Sequence, residues 1–389
     1  MFGSSKVCAV TKHTKLGVES DFFQKPREGS LVKQKIVTDY FIAYNRKLTP
    51  GPREKVGYAD LFAGPGYYMG DDGIKQRSIP ILICEAVIAT ELFRKKVHLW
   101  FNEGDQNYYE QLNTAIDSIP GIETLRYKPK VTNKIIDAAW ALKLTKLRVP
   151  TLVFLDPCGY KGLSLKLITS VLGGFGNDCI FFFNYSRVNM KLDLEIMNRS
   201  LDDFFEPERA ETIRANIQHR TPGEREKIIM DVVESAMKEA TAIPVSFGFK
   251  HENGRRSHYL IFASKNRQAA GMMKRILNSV SSDIIDGVGS GEHDPRAGEN
   301  SPGFFDGLYE VEQRILTTFA GQEISFGDLL EKEAHTRHTD TNYRDAVLRL
   351  EQDKTVIVDP PAEKRSFQKG GEKRTLPKNV LIRFPKGER

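Results

Sequence analysis

Tyr58-Ala-Asp-Leu-Phe-Ala-Gly-Pro-Gly66 is the stretch that decides the fold of this chain. It continues an apolar run from Val56, and it ends in two glycines that flank one residue. An apolar run that leads into an acid and a glycine turn predicts a buried parallel strand, because Gly64 and Gly66 let bare backbone approach a ligand closely. The turn therefore predicts a nucleotide-type binding site at the carboxyl end of a central strand.

The residues around the turn narrow the class of ligand. A phosphate loop would carry Lys and then Ser or Thr after the last glycine, whereas Tyr67 and Tyr68 follow Gly66. A dinucleotide site would have a third small residue where Met69 stands, and Asp60 would repel a pyrophosphate. We therefore expect an uncharged or cationic nucleoside, above all S-adenosyl-L-methionine (SAM). For this segment alone, an ordinary strand-to-helix turn is the alternative.

Two further apolar runs end in acids. Val97-His-Leu-Trp-Phe-Asn-Glu103 predicts a second strand, whose Glu103 would accept hydrogen bonds from ribose hydroxyls. Asp105 is the alternative for that role, or else it caps the following helix. Thr151-Leu-Val-Phe-Leu-Asp-Pro-Cys-Gly-Tyr160 predicts another strand, which ends in Asp-Pro with an aromatic close behind. This order of motifs is typical of many nucleic-acid methyltransferases.

The strings DLFAGPG, FNEGD and FLDPCGYKGLSLKLI resemble the three-Cys-motif partner protein family. The similarity extends from about Lys33 to the C-terminus. It implies a fold like that of class I SAM-dependent methyltransferases, often with a C-terminal winged helix, and a three-Cys-motif protein as a possible partner. The expected SAM-binding residues are Asp60, Phe62, Ala63, Gly64, Pro65, Gly66 and Glu103.

Composition indicates an ordinary globular protein. The chain has 389 residues, which allows one large domain and a small one. It contains no apolar run near the ~20 residues that span a bilayer, and its N-terminus lacks a secretory pattern. Its four cysteines have no paired spacing, which argues against a disulfide framework and a zinc site. We therefore expect a cytoplasmic protein.

The remaining pattern predicts an α/β, Rossmann-like class I methyltransferase sheet with a terminal antiparallel hairpin. The hairpin is expected from Ile243 to Lys250 and from Ser257 to Ser264, whereas a NAD-binding half would continue with parallel strands. A charged helical insertion would be either a lid or outer decoration. The predicted divisions are a methyltransferase-like domain at 1–285 with the insertion at 187–240, a linker at 286–303 and a winged-helix domain at 304–389.

The C-terminal region predicts three helices and a β-ribbon around a basic loop. From Glu363 to Arg389 there are nine Lys or Arg and three Glu, which leaves 9 − 3 = +6, equal to the net charge of the whole chain. Such a region favours a polyanionic partner, DNA or RNA, although a solvated tail or a protein-interaction module is the alternative. The expected nucleic-acid contacts are Arg344 and Arg349 on the third helix, and Lys364, Arg365, Lys369, Lys373 and Arg374 in the wing.

The Asp-Pro strand end carries the expected chemistry. In amino-group methyltransferases such an Asp accepts a hydrogen bond from the target amine, and an aromatic residue stacks on the flipped base. We therefore expect a catalytic set of Asp156, Pro157 and Tyr160, although Tyr160 comes four residues after Asp156 instead of three. A short strand is predicted near Glu123 to Tyr127, and no acid follows it to bind the adenine amine of SAM, so Asn133 or a backbone group is expected there.

Other reactive side chains have simpler explanations. Cys158 stands where some cytosine methyltransferases carry a nucleophile, but no partner motif accompanies it, so we expect it to fill the strand end. His335 and His338 have no further ligand nearby in sequence, so no metal site is expected.

The sequence thus predicts a SAM-dependent methyltransferase that acts on nucleic acid, at an exocyclic base amine. The alternative is a catalytically silent protein of the same fold that binds nucleic acid or a partner protein through the winged helix.

Overall fold

The computed structural model describes residues 28–70, 73–146, 148–157, 162–192, 198–297, 307–369, 371 and 373–386. The strands are β1 (Val56–Asp60), β2 (Tyr67–Met69), β3 (Lys75–Arg77), β4 (Val97–Asn102), β5 (Lys130–Thr132), β6 (Thr151–Leu155), β7 (Asp178–Phe183), β8 (Ile243–Lys250), β9 (Arg256–Ser264), β10 (Ile284–Ile285), β11 (Val288–Gly289), β12 (Glu292–His293), β13 (Glu323–Ser325), β14 (Ile357–Asp359) and β15 (Leu381–Arg383). The helices are α1 (Glu28–Leu48), α2 (Ile79–Ile88), α3 (Glu91–Lys96), α4 (Gln106–Asp117), α5 (Ala138–Thr145), α6 (Leu165–Leu172), α7 (Tyr185–Lys191), α8 (Asn198–Phe205), α9 (Pro207–Ile217), α10 (Pro222–Glu239), α11 (Arg267–Ser279), α12 (Leu308–Thr318), α13 (Phe326–Lys332) and α14 (Asp340–Gln352). Within these ranges, no helix combines the length and the apolar character needed to cross a bilayer.

An eight-stranded sheet forms the centre of the first part of the chain, in the order β12-β8-β9-β7-β6-β1-β4-β5. Strand β1 pairs in parallel with β4 on one side and with β6 on the other. Strand β9 lies antiparallel between β7 and β8. This strand order, in which the antiparallel β9 lies between β7 and β8, is that of the Rossmann-like sheet of class I methyltransferases. The predicted Rossmann-like sheet and its terminal antiparallel hairpin are therefore confirmed.

Helices cover both faces of this sheet, which is why β1 and β6 are buried along their whole length. One face packs against α1, α2 and α11, with Tyr40 and Phe41 of α1 in the core. The other face packs against α6 and α8 to α10. Helix α10 of the predicted insertion buries Ile229, Val233 and Met237 in this second layer. Part of the insertion is therefore core structure, whereas α7 begins directly after β7 at the carboxyl edge of the sheet.

Some local predictions were wrong. The strand expected near Glu123 to Tyr127 is a 3₁₀ turn at Ile122–Thr124, and the third strand is β5. Residues 286–297, predicted as linker, instead contain β11, which pairs with β10 in a two-stranded ribbon, and β12, which adds in parallel to the edge of the sheet beside β8. Each of these strands is only two residues long, so the glycine-rich sequence has no periodicity from which they could be predicted.

Residues 307–386, here called the C-terminal unit, contain α12, α13, α14 and a three-stranded antiparallel sheet in the order β13-β15-β14. These are the kinds of element that a winged helix contains. Their shared core includes Val311, Leu329 and Val347, and it also takes in Val288 from the β10–β11 ribbon. The ribbon therefore joins the C-terminal unit to the methyltransferase-like sheet through apolar contact.

A buried carboxylate fastens α1 to the sheet. The hydroxyl of Tyr40 donates to Asp178 Oδ2 at 2.6 Å, and the hydroxyl of Ser264 donates to Asp178 Oδ1. Burial raises the pKa of Asp178 from its ordinary value of 3.8 to about 6, although both hydroxyl bonds oppose the shift. The interaction links α1, β7 and β9 at the amino end of β7.

This raised pKa predicts a pH-dependent stability. Below about pH 4 Asp178 is protonated in both states; between about pH 4 and 6 the unfolded chain loses this proton while the folded protein keeps it. The free energy of unfolding should therefore fall with rising pH by up to roughly 3 kcal/mol in this window. Asp60, whose pKa is also raised, contributes to both curves, so urea titrations should show a fall that is larger in wild type than in Asp178→Asn by about this amount, with Asp39→Asn on the outer side of α1 as the control. Parallel curves for wild type and Asp178→Asn would contradict the prediction.

Candidate functional site

Three carboxylates lie at the carboxyl edge of the sheet on the face that α1 covers. Along β1, Val56 and Tyr58 face the core beneath α1, and Asp60 continues that alternation. The same alternation past β4 and β6 leads to Glu103 and Asp156. The charges of Glu103 and Asp156 both act on Asp60, so the three acids predicted from the sequence lie near one another.

The glycine turn is fastened to the end of β4. The N–H of Gly64 donates to Glu103 Oε2 at 2.8 Å, and the N–H of Ala63 donates to the carbonyl of Asn102 at 2.9 Å. The N–H of Phe62 donates to Asp60 Oδ1 at 3.1 Å. Gly64 has φ of 68°, in the left-handed region that favours glycine. Glu103 thus contacts the turn directly, and its role toward a ribose stays a prediction.

The second oxygen of Glu103 holds the next helix. Glu103 Oε1 accepts the N–H of Asp105 at 2.9 Å, while Asp105 caps α4 by accepting the N–H groups of Asn107 and Tyr108. The amide of Asn133 donates to the carbonyls of Glu103 and Gly104 at 2.8 and 3.0 Å. Asp105 is therefore a helix cap, and Asn133 braces the loop that carries Glu103.

Gly66 lies where the turn packs against α4. Its φ is 90°, and a Cβ atom there would stand 3.0 Å from the Cβ of Ala115 and 3.4 Å from Leu112. The hydroxyl of Ser78 donates to the carbonyl of Gly66 at 2.6 Å, which fixes the turn from the α2 side. The close approach explains why the second glycine of the motif cannot carry a side chain.

Asp60 lies in a site where, among the described residues, carboxylates outnumber the nearby cation that acts on it, Lys33. It is 1% exposed, and burial raises the pKa of its carboxyl well above the usual range. The backbone bond from Phe62 opposes this shift, the charges of Asp156 and Glu103 add to it, and Lys33 opposes it more weakly. An added cation would stabilise the ionised carboxylate. The electrostatics of the edge therefore favour a cationic ligand.

The buried hydroxyl of Tyr58 has no hydrogen-bond partner among the residues that the structure describes. Tyr58 is fully buried. Burial, and then the charges of Asp60, Cys84 and Asp156, raise the pKa of this phenol. An unpaired buried hydroxyl is costly, so it marks a place where a polar group or a water is expected to bind.

Asp156 is held by a lysine from α1, which the sequence interpretation did not include in the site. Lys33 Nζ lies 2.5 Å from Asp156 Oδ2 and 4.5 Å from the centroid of the Phe182 ring. His258 stacks on Phe182 with the ring centroids 4.8 Å apart. Burial lowers the pKa of His258 from 6.5 to about 4, so this imidazole is neutral near pH 7. The helical spacing of Lys33 to the core residues Val37 and Tyr40 was the available signal.

The other predicted catalytic residues have different outcomes. Pro157 follows Asp156 and is half-buried. Tyr160 and Cys158 lie outside the described residues. Of the predicted SAM-binding set, Ala63, Pro65 and both glycines lie buried in the turn, and Phe62 is half-buried beside it.

Two of the predicted nucleic-acid contacts are held inside the C-terminal unit. Arg365 is 4% exposed and pairs with Glu351 of α14, so it is not available at the surface. Arg349 forms a two-pronged pair with Glu312 of α12, one bond being 2.8 Å, and it also lies 3.6 Å from Asp286. Carboxylates of the unit therefore pair with arginines that the count of charges assigned to nucleic acid.

The third helix of the C-terminal unit is largely covered. Asn342 of this helix is buried, and it donates to the carbonyl of Gly287 in the β10–β11 ribbon at 3.1 Å. Arg344 is half-buried on the same helix. Next along α14, Asp345 pairs at 2.9 Å with Lys373 of the basic loop between β14 and β15. Helix α14 is therefore flanked by the ribbon, by α12 and by the loop.

The basic loop between β14 and β15 is more open. Lys364, Lys369 and Lys373 are exposed, and Phe367 is 55% exposed. The guanidinium of Arg374 lies over the Phe367 ring at 3.8 Å from its centroid. An exposed aromatic ring beside cations suits contact with a nucleic-acid strand.

Comparison with family models and with curated proteins gives no match. Among solved structures, a Legionella pneumophila protein of the family model DUF519 has 12% identity and a TM-score of 0.37, over 62% of this chain and 86% of its own. Trm1 from Pyrococcus horikoshii, solved with SAM, has 11% identity and a TM-score of 0.33, over 65% and 62%. Magnesium protoporphyrin IX methyltransferase from Synechocystis, with bound SAH, has 10% identity and a TM-score of 0.31, over 60% and 84%. These are distant likenesses.

The packing at Gly66 predicts a matched pair of effects. Gly66→Ala should lower the free energy of unfolding by about 2–4 kcal/mol, because backbone strain and a steric clash with Ala115 add together. Gly73→Ala, at φ of 72° with open space around it, should cost only about 1 kcal/mol. Urea denaturation of both variants measures the difference. Equal losses would show that the turn does not pack against α4 as described.

Proposed function

We propose that this chain is a SAM-dependent methyltransferase. The observation that carries the proposal is the bond from the Gly64 N–H to the carboxylate of Glu103, which holds an acid against a glycine turn at the carboxyl end of the central strand. Each carboxylate oxygen has a second lone pair, so Glu103 can keep its backbone bonds and still accept ribose hydroxyls. In an open α/β sheet this edge is the ligand-binding crevice.

The donor set fits SAM in charge as well as in position. Glu103 brings negative charge to this edge, and a bound cation would favour the ionised form of Asp60 as well, whereas SAM carries a sulfonium and an ammonium. Asp60 and the backbone from Phe62 to Gly66 would hold the methionine end and Glu103 the ribose, with the unpaired Tyr58 hydroxyl below. SAM, when bound, supplies an electrophilic methyl group.

Asp156 is the residue proposed to orient the acceptor. An ionised carboxylate that accepts a hydrogen bond from an amine turns the nitrogen lone pair toward the methyl group. Pro157 would fix the backbone beside it, and Tyr160 would stack on the base that carries the amine. The acceptor proposed is an exocyclic amine of a nucleic-acid base.

The basic loop supports nucleic acid as the substrate class. Lys364, Lys369 and Lys373 would contact phosphates, and Arg374 with Phe367 would contact an unpaired base. We place Arg365 and Arg349 outside this surface, because Arg365 is buried against Glu351 and Arg349 is held by Glu312 and Asp286. Lys373 also pairs with Asp345, but its side chain is 62% exposed. By the family resemblance, a three-Cys-motif protein is the proposed protein partner.

A second function is worth testing because the acceptor carboxylate is engaged. With Lys33 on Asp156 and α14 covered by the ribbon, the chain can act as a binding protein that holds SAM without transferring its methyl group. In that case the exposed loop and the apolar outer face with Ile357 and Leu381 would bind the partner.

SAM binding and methyl transfer should respond to different acids. Glu103→Ala should weaken SAM binding at least about tenfold in calorimetry, because the ribose hydroxyls lose their acceptor. Asp156→Ala should keep SAM affinity near wild type but lose about 100-fold or more of labelled-methyl transfer to DNA or RNA. Glu110→Ala, on the exposed side of α4, is the control for both assays.

The outcomes separate the two functions. SAM affinity that is unchanged in Glu103→Ala would place the cofactor elsewhere. SAM binding by wild type without transfer to any nucleic acid would favour the binding protein.

Nucleic-acid binding should depend on salt through the basic loop. Replacing Lys364, Lys369 and Lys373 with Gln should reduce the slope of log K against log salt by up to about 2.7, at about 0.9 for each duplex phosphate that the variant no longer neutralises. A triple Gln variant at the exposed Lys35, Lys95 and Lys227 should keep the wild-type slope. Fluorescence anisotropy with a mixed-sequence duplex measures both. Wild-type binding that does not change with salt would rule out this surface.

A further inference from the structure

The geometry points to an ammonium-binding subsite formed by Asp156 and Phe182, which the side chain of Lys33 fills. Its ligand class is a primary amine or ammonium group. A neutral amine keeps the lone pair that a methyl acceptor needs and would meet the same Asp156 carboxylate; this acceptor role rests on the proposed function, whereas the binding of an ammonium group does not.

The subsite combines the two interactions that select a cation. The carboxylate of Asp156 lies 2.5 Å from Lys33 Nζ, and the ring of Phe182 faces the same nitrogen at 4.5 Å. A carboxylate neutralises the charge, and the face of an aromatic ring attracts it by its quadrupole. Strand pairing sets Leu155 of β6 beside Phe181 of β7, so Asp156 and Phe182, one residue further on, stand side by side.

The surroundings limit the subsite to one positive charge. His258 stacks on the Phe182 ring and is neutral near pH 7, because burial lowers its pKa to about 4. The side chains of Lys33 and Asp156 are only 17% and 21% exposed, so water screens the pair poorly. Arg187 and His251 also act on His258, but neither is paired with Asp156 in the contacts that the structure describes.

Lys33 reaches this subsite from a helix that is anchored elsewhere. Tyr40, seven residues later on the same face of α1, bonds to Asp178 in the core. The lysine stem can rotate while the helix stays in place, because no covalent or backbone constraint holds Nζ at Asp156. An incoming ammonium group can therefore replace the Lys33 ammonium without unfolding α1, and Lys33 competes with any amine that approaches Asp156.

The test replaces Lys33 with alanine and adds a small ammonium compound that matches the deleted atoms. In Lys33→Ala the vacated space has the length of propylammonium, so propylammonium chloride should bind with a dissociation constant of roughly 1–10 mM and raise the melting temperature. The wild type, Lys33→Ala with Asp156→Asn, and Lys35→Ala should show no such binding. Lys35 is the matched control because it lies on the exposed side of α1 and pairs with Asp39. 1-Propanol, which has the same length without the charge, should not bind to Lys33→Ala.

A second measurement uses the folded wild type in case Lys33→Ala does not fold. In a reductive-methylation time course read by mass spectrometry, Lys33 should react several-fold more slowly than Lys35 and should reach the rate of Lys35 in Asp156→Ala. Equal propylammonium responses in all variants, or equal rates for both lysines in wild type, would overturn the proposal. Amine binding without any SAM binding would keep the subsite and refute the proposed function; SAM binding without amine binding would do the reverse.

Discussion

The register of the parallel strands is the constraint on which the candidate site depends. Asp60 stands beside Phe101 of β4 and beside Phe154 of β6. Glu103 and Asp156 each come two residues later, so side-chain alternation brings all three carboxylates to the face that α1 covers. A shift of one residue in either pairing would turn an acid to the opposite face. Strand pairing thus sets the charge of this edge, and the glycine turn adds backbone N–H groups to it.

Helix α1 is the second determinant of the site. Tyr40 ties the middle of the helix to a buried carboxylate, and Lys33 lies about two turns earlier on the same face. The core contact therefore decides how far the lysine reaches over the end of β6. The helix contributes stability and site chemistry through residues that share one stripe, so changes at Tyr40 and at Lys33 are expected to be coupled.

The sequence was informative where the signal is local. Asp60, Gly64 and Gly66 lie within one motif, and the acids after β4 and β6 follow unbroken apolar runs, so their positions could be predicted. Lys33 could not, because its contact with Asp156 spans 123 residues. Strand β5 and the ribbon before the C-terminal unit were missed, because elements of two or three residues show no hydrophobic period in the sequence. Charge counting overstated the basic surface, because it does not record that Arg365 pairs with Glu351.

The short strand β12 has a consequence for the solution behaviour of the protein. Glu292 and His293 pair with Gly248 and Phe249, so this part of β8 does not offer a free row of backbone groups to the solvent. Open strand edges are places where chains add to one another and aggregate. Strand β12 thus covers the edge of the sheet at this end of β8. Proteolytic removal of β12 would expose these backbone groups to pairing with another chain.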